Sequence, residues 1–210
     1  MTRKIASYII CFIILFGAIF SAFALANVSV GVTEGDLIEY QVTYRGDAPQ
    51  QHDVNWAKIE VVSIQDKKID VAITSRYSDG TEETVNATLN LETGQIGDCF
   101  IIPANLDTGD TFLEQTEGTI TISNVEEKTY ADAKRTVVTA STSHTTFYWD
   151  RSTGFLVEAT SFYPDFNLTT KAERTNIWQT QTFGLDPLVS IVLIVVAIVL
   201  VLAILLRHKK

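Results

Sequence analysis

Between the two apolar ends of the chain stand two histidines and one cysteine, His52, His144 and Cys99. Imidazole nitrogen and thiolate sulfur are the ligands that zinc prefers, but zinc sites declare themselves by short ligand spacings, and no two of these residues have one. Ser141, Ser143 and His144 supply hydroxyls beside a base. They do so in a run so rich in Ser and Thr that the pairing is unspecific, and no G-x-S-x-G elbow accompanies it. Asp98, Asp107 and Asp110 offer hard oxygens to Ca²⁺ without the D-x-D-x-D-G pattern of a calcium loop, and read as a solvated acidic loop. Glu82-Glu83 and Glu126-Glu127 read as solvated strand edges. No catalytic constellation, metal site or cofactor motif remains, and the expectation is a protein that is not an enzyme.

Binding chemistry is better represented. The stretch FYWDRSTGFLVEATSFY, residues 147–163, packs six aromatic residues around a polar gap. Phe147 and Trp149 share one strand face, with Tyr148 and Asp150 on the other. Phe155, Val157 and Ala159 are expected to share a face on the return. Asp150-Arg151-Ser152-Thr153-Gly154 suits a turn closed by a glycine at positive φ, a backbone that glycine takes without strain. Tyr40, Tyr44, Tyr77, Phe147, Trp149 and Phe155 are the candidate lining of a ligand site for a lipid-like or other apolar molecule. In the alternative reading they only fill the core of a structural or protein-interaction domain of the cell envelope. A void among the rings separates the two readings.

The elements that must position these rings are strands. Ile38, Tyr40, Val42 and Tyr44 alternate with Leu37, Glu39, Gln41 and Thr43; Ile69, Val71, Ile73 and Tyr77 oppose Asp70, Ala72, Thr74 and Arg76. Val85, Ala87, Leu89 and Leu91 oppose Asn86, Thr88 and Asn90. A period of two with one apolar face marks half-buried antiparallel strands. Further strands are expected near 118–123, 134–142, 145–150, 155–163 and 167–178. Asp79-Gly80 is a hairpin signal, Asp66-Lys67 closes the preceding pair, and the apolar phase slips at Val61-Val62, which predicts a bulge. Residues 98–116 are the least regular. The expected fold is an all-β domain, an antiparallel meander curled into a barrel or half-barrel, with a β-sandwich as the alternative.

The chain ends set the compartment. Thr2-Arg3-Lys4, the apolar run Ile5 to Phe23 and Ala24-Leu25-Ala26 have the three parts of a secretory signal peptide, expected over 1–26. Leu188 to Leu206 is apolar apart from Ser190, with Asp186-Pro187 before it and Arg207-His208-Lys209-Lys210 after it. That pattern predicts a single transmembrane helix over 187–206 and a cytoplasmic basic tail, 207–210. The domain, 27–178, would then lie outside the cell as the ectodomain of a type I single-pass membrane protein, with 179–186 as its juxtamembrane linker. The net charge of the chain is −9, and all 25 acidic residues lie between Glu34 and Asp186. Such a balance argues against nucleic acid and against anionic lipid surfaces as partners. Cys99 has no partner for a disulfide outside the membrane, and reads as a small buried hydrophobe. Asn86 and Asn167 are the better of three glycosylation sequons, the third being Asn27.

The segments CFIIPANLDTGDTF, TYADAKRTVV, FYWDRSTGFLVEATS and ERTNIW resemble those of uncharacterised archaeal cell-surface proteins. These carry a signal peptide, a β-rich ectodomain and one C-terminal anchor. The resemblance covers most of residues 34–178 and implies no activity. More distantly, the meander and its YWD…TG.L hairpin are similar to half-barrels of the LolA and LppX type, which shelter acyl chains. The amphipathic helices that plug those half-barrels have no counterpart in this sequence.

Overall fold

The structure is a computed structural model that describes residues 28–47, 53–178, 188–189 and 191–198. The signal peptide, Asn27, the linker over 179–186 and the basic tail expected from the sequence lie outside the described residues. Residues 188–189 and 191–198 are helical and fall within the span expected to cross a membrane. Among the described residues no helix is long and apolar enough to do so.

Eleven strands are described: β1 (Leu37–Gly46), β2 (Val54–Gln65), β3 (Lys68–Tyr77), β4 (Glu82–Asn90), β5 (Thr111–Glu114), β6 (Gly118–Thr121), β7 (Asn124–Tyr130), β8 (Ala133–Ser141), β9 (Thr145–Asp150), β10 (Leu156–Phe162) and β11 (Phe166–Thr175). Nine form one antiparallel sheet in the order β4-β3-β2-β1-β11-β10-β9-β8-β7, and β5 pairs with β6 alone. The expected single meander is thus two. One runs from β1 to β4, the other from β7 to β11, and pairing of β1 with β11 fuses them. The sheet does not close into a barrel, because its edges β4 and β7 do not pair. Nor does a second large sheet make a sandwich. At the β7 end the sheet curls, and β7 comes near β11 although three strands separate them in the ladder. Tyr130 Oη there donates to Glu158 Oε2 at 2.9 Å, and Trp178 Nε1 donates to the Tyr130 carbonyl at 3.3 Å.

Local chemistry accounts for the joints. Gly80 takes a φ of +86° in the β3–β4 turn, and Asp79 Oδ1 accepts from Thr81 N at 2.8 Å. The phase slip at Val61-Val62 is a bulge: register shifts between Val61 and Ser63, and the extruded Val62 is 49 % exposed. In β10 another register shift, between Leu156 and Glu158, alters the expected facing. Leu156 stands opposite Trp149 and Ala159 opposite Phe147, with Val157 between them also buried. Val85, expected on the apolar face, is 53 % exposed because β4 is a sheet edge.

Residues 91–123 link the two meanders, and they are not a surface loop. Ile96, Cys99, Ile101, Ile102, Leu106, Phe112, Ile120 and Ile122 are all buried in one cluster with Ile38, Tyr40, Ile59, Val138 and Trp149. The segment lies over the sheet's apolar face and fills much of it. Its backbone groups, which burial would otherwise strand, are bonded to the β9–β10 corner. Leu156 N donates to the Phe100 carbonyl at 2.8 Å, Ile102 N to that of Gly154 at 3.0 Å, and Asn105 N to that of Arg151 at 2.7 Å.

Candidate functional site

The β9–β10 corner anchors this filling segment. Gly154 N donates to the Asp150 carbonyl and Asp150 N to that of Phe155, each at 2.8 Å. Gly154 has a φ of +75°, and a Cβ built there would stand 2.0 Å from the Ile102 carbonyl oxygen. The position demands glycine twice over, for backbone conformation and for close approach. Asp150 is buried and accepts from Thr153 N and Thr153 Oγ1 at 3.0 Å, Ser152 Oγ at 2.7 Å and Arg135 Nε at 2.7 Å. Burial pushes its carboxyl up, but the bonds from Arg135 and Ser152 and the Arg135 charge outweigh that and hold it below the usual carboxylate range. The Arg135 guanidinium lies 4.7 Å from the ring centre of Trp178.

Trp149, wholly buried, joins the segment to the sheet: its Nε1 donates to the Cys99 carbonyl at 2.7 Å. Phe112 meets its ring edge-on at 5.6 Å and Phe147 stacks on it at 5.1 Å. Phe155, also fully buried, forms an isolated bridge with Ile101. Tyr40 is buried with its hydroxyl donating to the Leu156 carbonyl at 2.8 Å. These contacts make a solid junction.

Toward the other ends of β9, β10 and β11 the filling stops. A cavity of about 500 Å³ lies there, between the sheet and the segment 97–117. Its sheet side is Phe147, Leu156, Ala159 and Leu168, interspersed with the hydroxyls of Thr145, Ser161 and Thr170. The segment side contributes Phe100 and Cys99 together with three carboxylates, Asp98, Glu114 and Glu117. Among the described residues no Lys or Arg lines it. A second cavity of about 170 Å³, lined by Tyr40, Val42, Val54, Ala57, Ile59 and Ile73, adjoins the first across Phe100, Leu168 and Thr170, which border both.

The six candidate rings divide between these environments. Phe147 lines the larger cavity and Tyr40 the smaller; Trp149 and Phe155 sit in the solid junction. Tyr44 and Tyr77 continue the alternation of Val42 and Ser75 but border neither cavity. Tyr44 is 43 % exposed, with its hydroxyl donating to Asp53 at 2.8 Å, and Tyr77 Oη donates to Glu83 at 3.2 Å. Among the cavity residues that the sequence reading passed over are Thr145, Ser161, Leu168 and Thr170, on β9, β10 and β11, with Glu114 on β5 and Glu117 after it. The one signal, for the hydroxyl-bearing ones among them, was the run of Ser and Thr on faces otherwise apolar.

The remaining polar candidates lie apart. Cys99 is buried, and burial first, then the charges of Glu114, Asp98 and Glu117, push its thiol up to about 12. It is therefore a thiol, not a nucleophilic thiolate, at neutral pH. Ser141 Oγ bonds with Thr146 Oγ1 at 3.1 Å. Asp107 pairs with Arg151, and Asp110 Oδ2 accepts from Asp107 N at 2.7 Å. His52 lies outside the described residues. Among the described residues no group of three His, Cys, Asp or Glu side chains converges as a metal site would require. Asn86 and Asn167 are both exposed, on β4 and β11.

No family model matches the chain. No curated protein matches it either. Among solved structures, the siderocalin Ex-FABP, described as functioning through dual ligand specificities, overlaps 69 % of this chain and 76 % of its own. The identity is 8 % and the TM-score 0.27, too loose an overlap to transfer a fold or a ligand.

Proposed function

We propose that the β domain is an extracellular binding module, tethered to the membrane by the apolar segment 187–206, that holds a small molecule with an apolar body. The observation that carries this reading is the hollow under residues 97–117. A cavity of about 500 Å³ falls in the size range of small-molecule sites, and its floor is Phe147, Leu156, Ala159 and Leu168. The tether rests on the sequence pattern at both ends, supported by the exposure of the apolar side chains from Leu188 to Ile198 that are described. Trp178 follows the far end of β11 from Leu168 and Thr170, so the chain leaves the domain at the packed end. About ten residues at roughly 3.3 Å each separate the hollow from that exit. This arrangement favours capture of a ligand from the medium over extraction from the bilayer below.

Native mass spectrometry of the full chain, purified in a mild detergent and released in the gas phase, tests the reading. A co-purified apolar molecule, displaced in a Phe147→Ala variant that remains folded, is the expected result. No bound molecule, together with no change in Trp fluorescence on titration with octanol, would overturn it. A second reading, a protein-interaction domain of the cell envelope, draws on the open edge of β4, where alternate residues turn their backbone groups away from β3 and Val85 is exposed.

A further inference from the structure

We infer that the larger cavity selects a ligand with a cationic head, an alkyl or aryl amine, and discriminates against the carboxylate of a fatty acid. The inference rests on the binding reading above and specifies its ligand. The floor on β9–β11 has an apolar part, so the body of the ligand lies against Phe147, Ala159 and Leu168. The wall facing it carries Asp98, Glu114 and Glu117 and, among the described residues, no basic side chain. An ammonium group there would meet uncompensated negative charge, and a carboxylate would meet repulsion and lose its hydration.

Glu114 is the deciding residue. It is 5 % exposed, and a carboxylate so buried ordinarily has a cation beside it. Among the described residues none of the ion pairs includes it. Its two hydrogen bonds come from Thr116 N, at 2.7 Å, and Glu117 N, and both fall on Oε2. Oε1 has no donor among the described residues. A buried carboxylate is thus held by the β5–β6 turn with half its acceptor capacity unspent, at the wall of a hollow. The hydroxyls of Thr145 and Ser161 already bond to each other at 2.8 Å, so they offer less to an anion than their number implies.

Octylammonium, octanol and octanoate have one shape and three charges, and they separate the hypotheses. The full chain in a non-ionic amphipol would be titrated with each by calorimetry, against amphipol alone. Octylammonium is expected to bind about tenfold more tightly than octanol, and octanoate more weakly than either, a tenfold step being about 1.4 kcal/mol. Glu114→Gln keeps an oxygen for the two backbone donors and should erase the preference for the amine while octanol binding persists. Should that variant fail to fold, Asp98→Asn with Glu117→Gln, both exposed, should reduce the preference. Glu82→Gln with Glu83→Gln, outside the cavity, should not. Equal binding of all three probes, or a preference that survives every cavity variant, overturns the charge selection and leaves the binding reading standing. Binding of none of the three overturns both.

Discussion

The two ends of β9, β10 and β11 are built from one set of strands and differ in what they enclose. At the corner end, Trp149, Phe155 and Val157 are buried in one cluster with Ile101, Ile102 and Phe112 from the crossing segment, and none of these borders the cavity. At the other end the same strands carry Thr145, Ser161 and Thr170 in place of large apolar side chains, and a cavity of about 500 Å³ remains. β9, β10 and β11 pair without interruption along the hollow, and the register shifts at the corner, between Leu156 and Glu158. Small side chains on the strands and the path of the crossing segment together make the hollow. A ligand site on a sheet can arise by shrinking the residues at one end of its apolar face while the other end keeps the fold stable.

The largest expected effects lie at the packed end. Trp149→Ala removes the hub ring and its bond to the Cys99 carbonyl, and should cost about 3–5 kcal/mol. Gly154→Ala forces a Cβ into the Ile102 carbonyl and should cost about 3 kcal/mol, more than the backbone strain of a left-handed turn alone. Urea unfolding followed by Trp fluorescence measures both. If Phe147→Ala, at the hollow, costs as much as Trp149→Ala, the two ends are not different in the way described.

Asp150 gives the comparison a dependence on pH. Its carboxyl titrates below the ordinary value of 3.8 in the folded domain. Its stabilising contribution is therefore present in full above 3.8 and is lost as pH falls through the folded-state value. Asp150→Asn should cost about 2–3 kcal/mol at neutral pH, since it leaves Arg135 without its partner. Below pH 3.8 the gap between wild type and variant should narrow. A gap that stays constant through acid pH would mean that the ionised pair is not what stabilises the corner.

How far these two ends were legible in the sequence follows from the range of the interactions. Alternation in β1 and β3, the bulge at Val62 and the Asp79-Gly80 turn depend on neighbours in the chain, and they can be read there. β7 was missed as a strand: Asn124-Val125-Glu126-Glu127-Lys128 lacks an apolar face, being the charged edge of a sheet. The β7–β8 turn gave no warning either, because Ala131 and Asp132 take φ of +46° and +57° where Asn-Gly is usual. Residues 98–116 read as the least regular stretch of the chain, although Cys99-Phe100-Ile101-Ile102 already asked for burial. Their place over the sheet depends on bonds to Gly154 and Arg151, some fifty residues away. Of the six rings proposed as a lining, alternation alone could not separate Tyr40 and Phe147, at cavities, from Trp149 and Phe155, in solid packing. That division depends on the bulge at Val157 and on where the crossing segment stops.

The smallest expected effects sharpen the contrast most, because the change is the same at two sites. Thr139 and Thr170 both lie on strands of the large sheet, and Thr→Val replaces a hydroxyl by a methyl of nearly equal volume. Thr139 is buried in β8, and its Oγ1 has no hydrogen-bond partner among the described residues. An unsatisfied buried hydroxyl carries its desolvation cost without return, so Thr139→Val should raise stability by about 1 kcal/mol. Thr170 borders both cavities, where solvent or a ligand can meet its hydroxyl. Thr170→Val should change stability by less than about 0.5 kcal/mol, the range of substitutions that break no packing. The ligand should report it instead, through weaker binding of a head group and unchanged binding of an alkyl chain. Paired thermal melts, with and without octylammonium, measure the contrast. A stabilisation at Thr170 equal to that at Thr139 would show that the hollow is closed and dry, and that its hydroxyls are as stranded as the one in the packed strand.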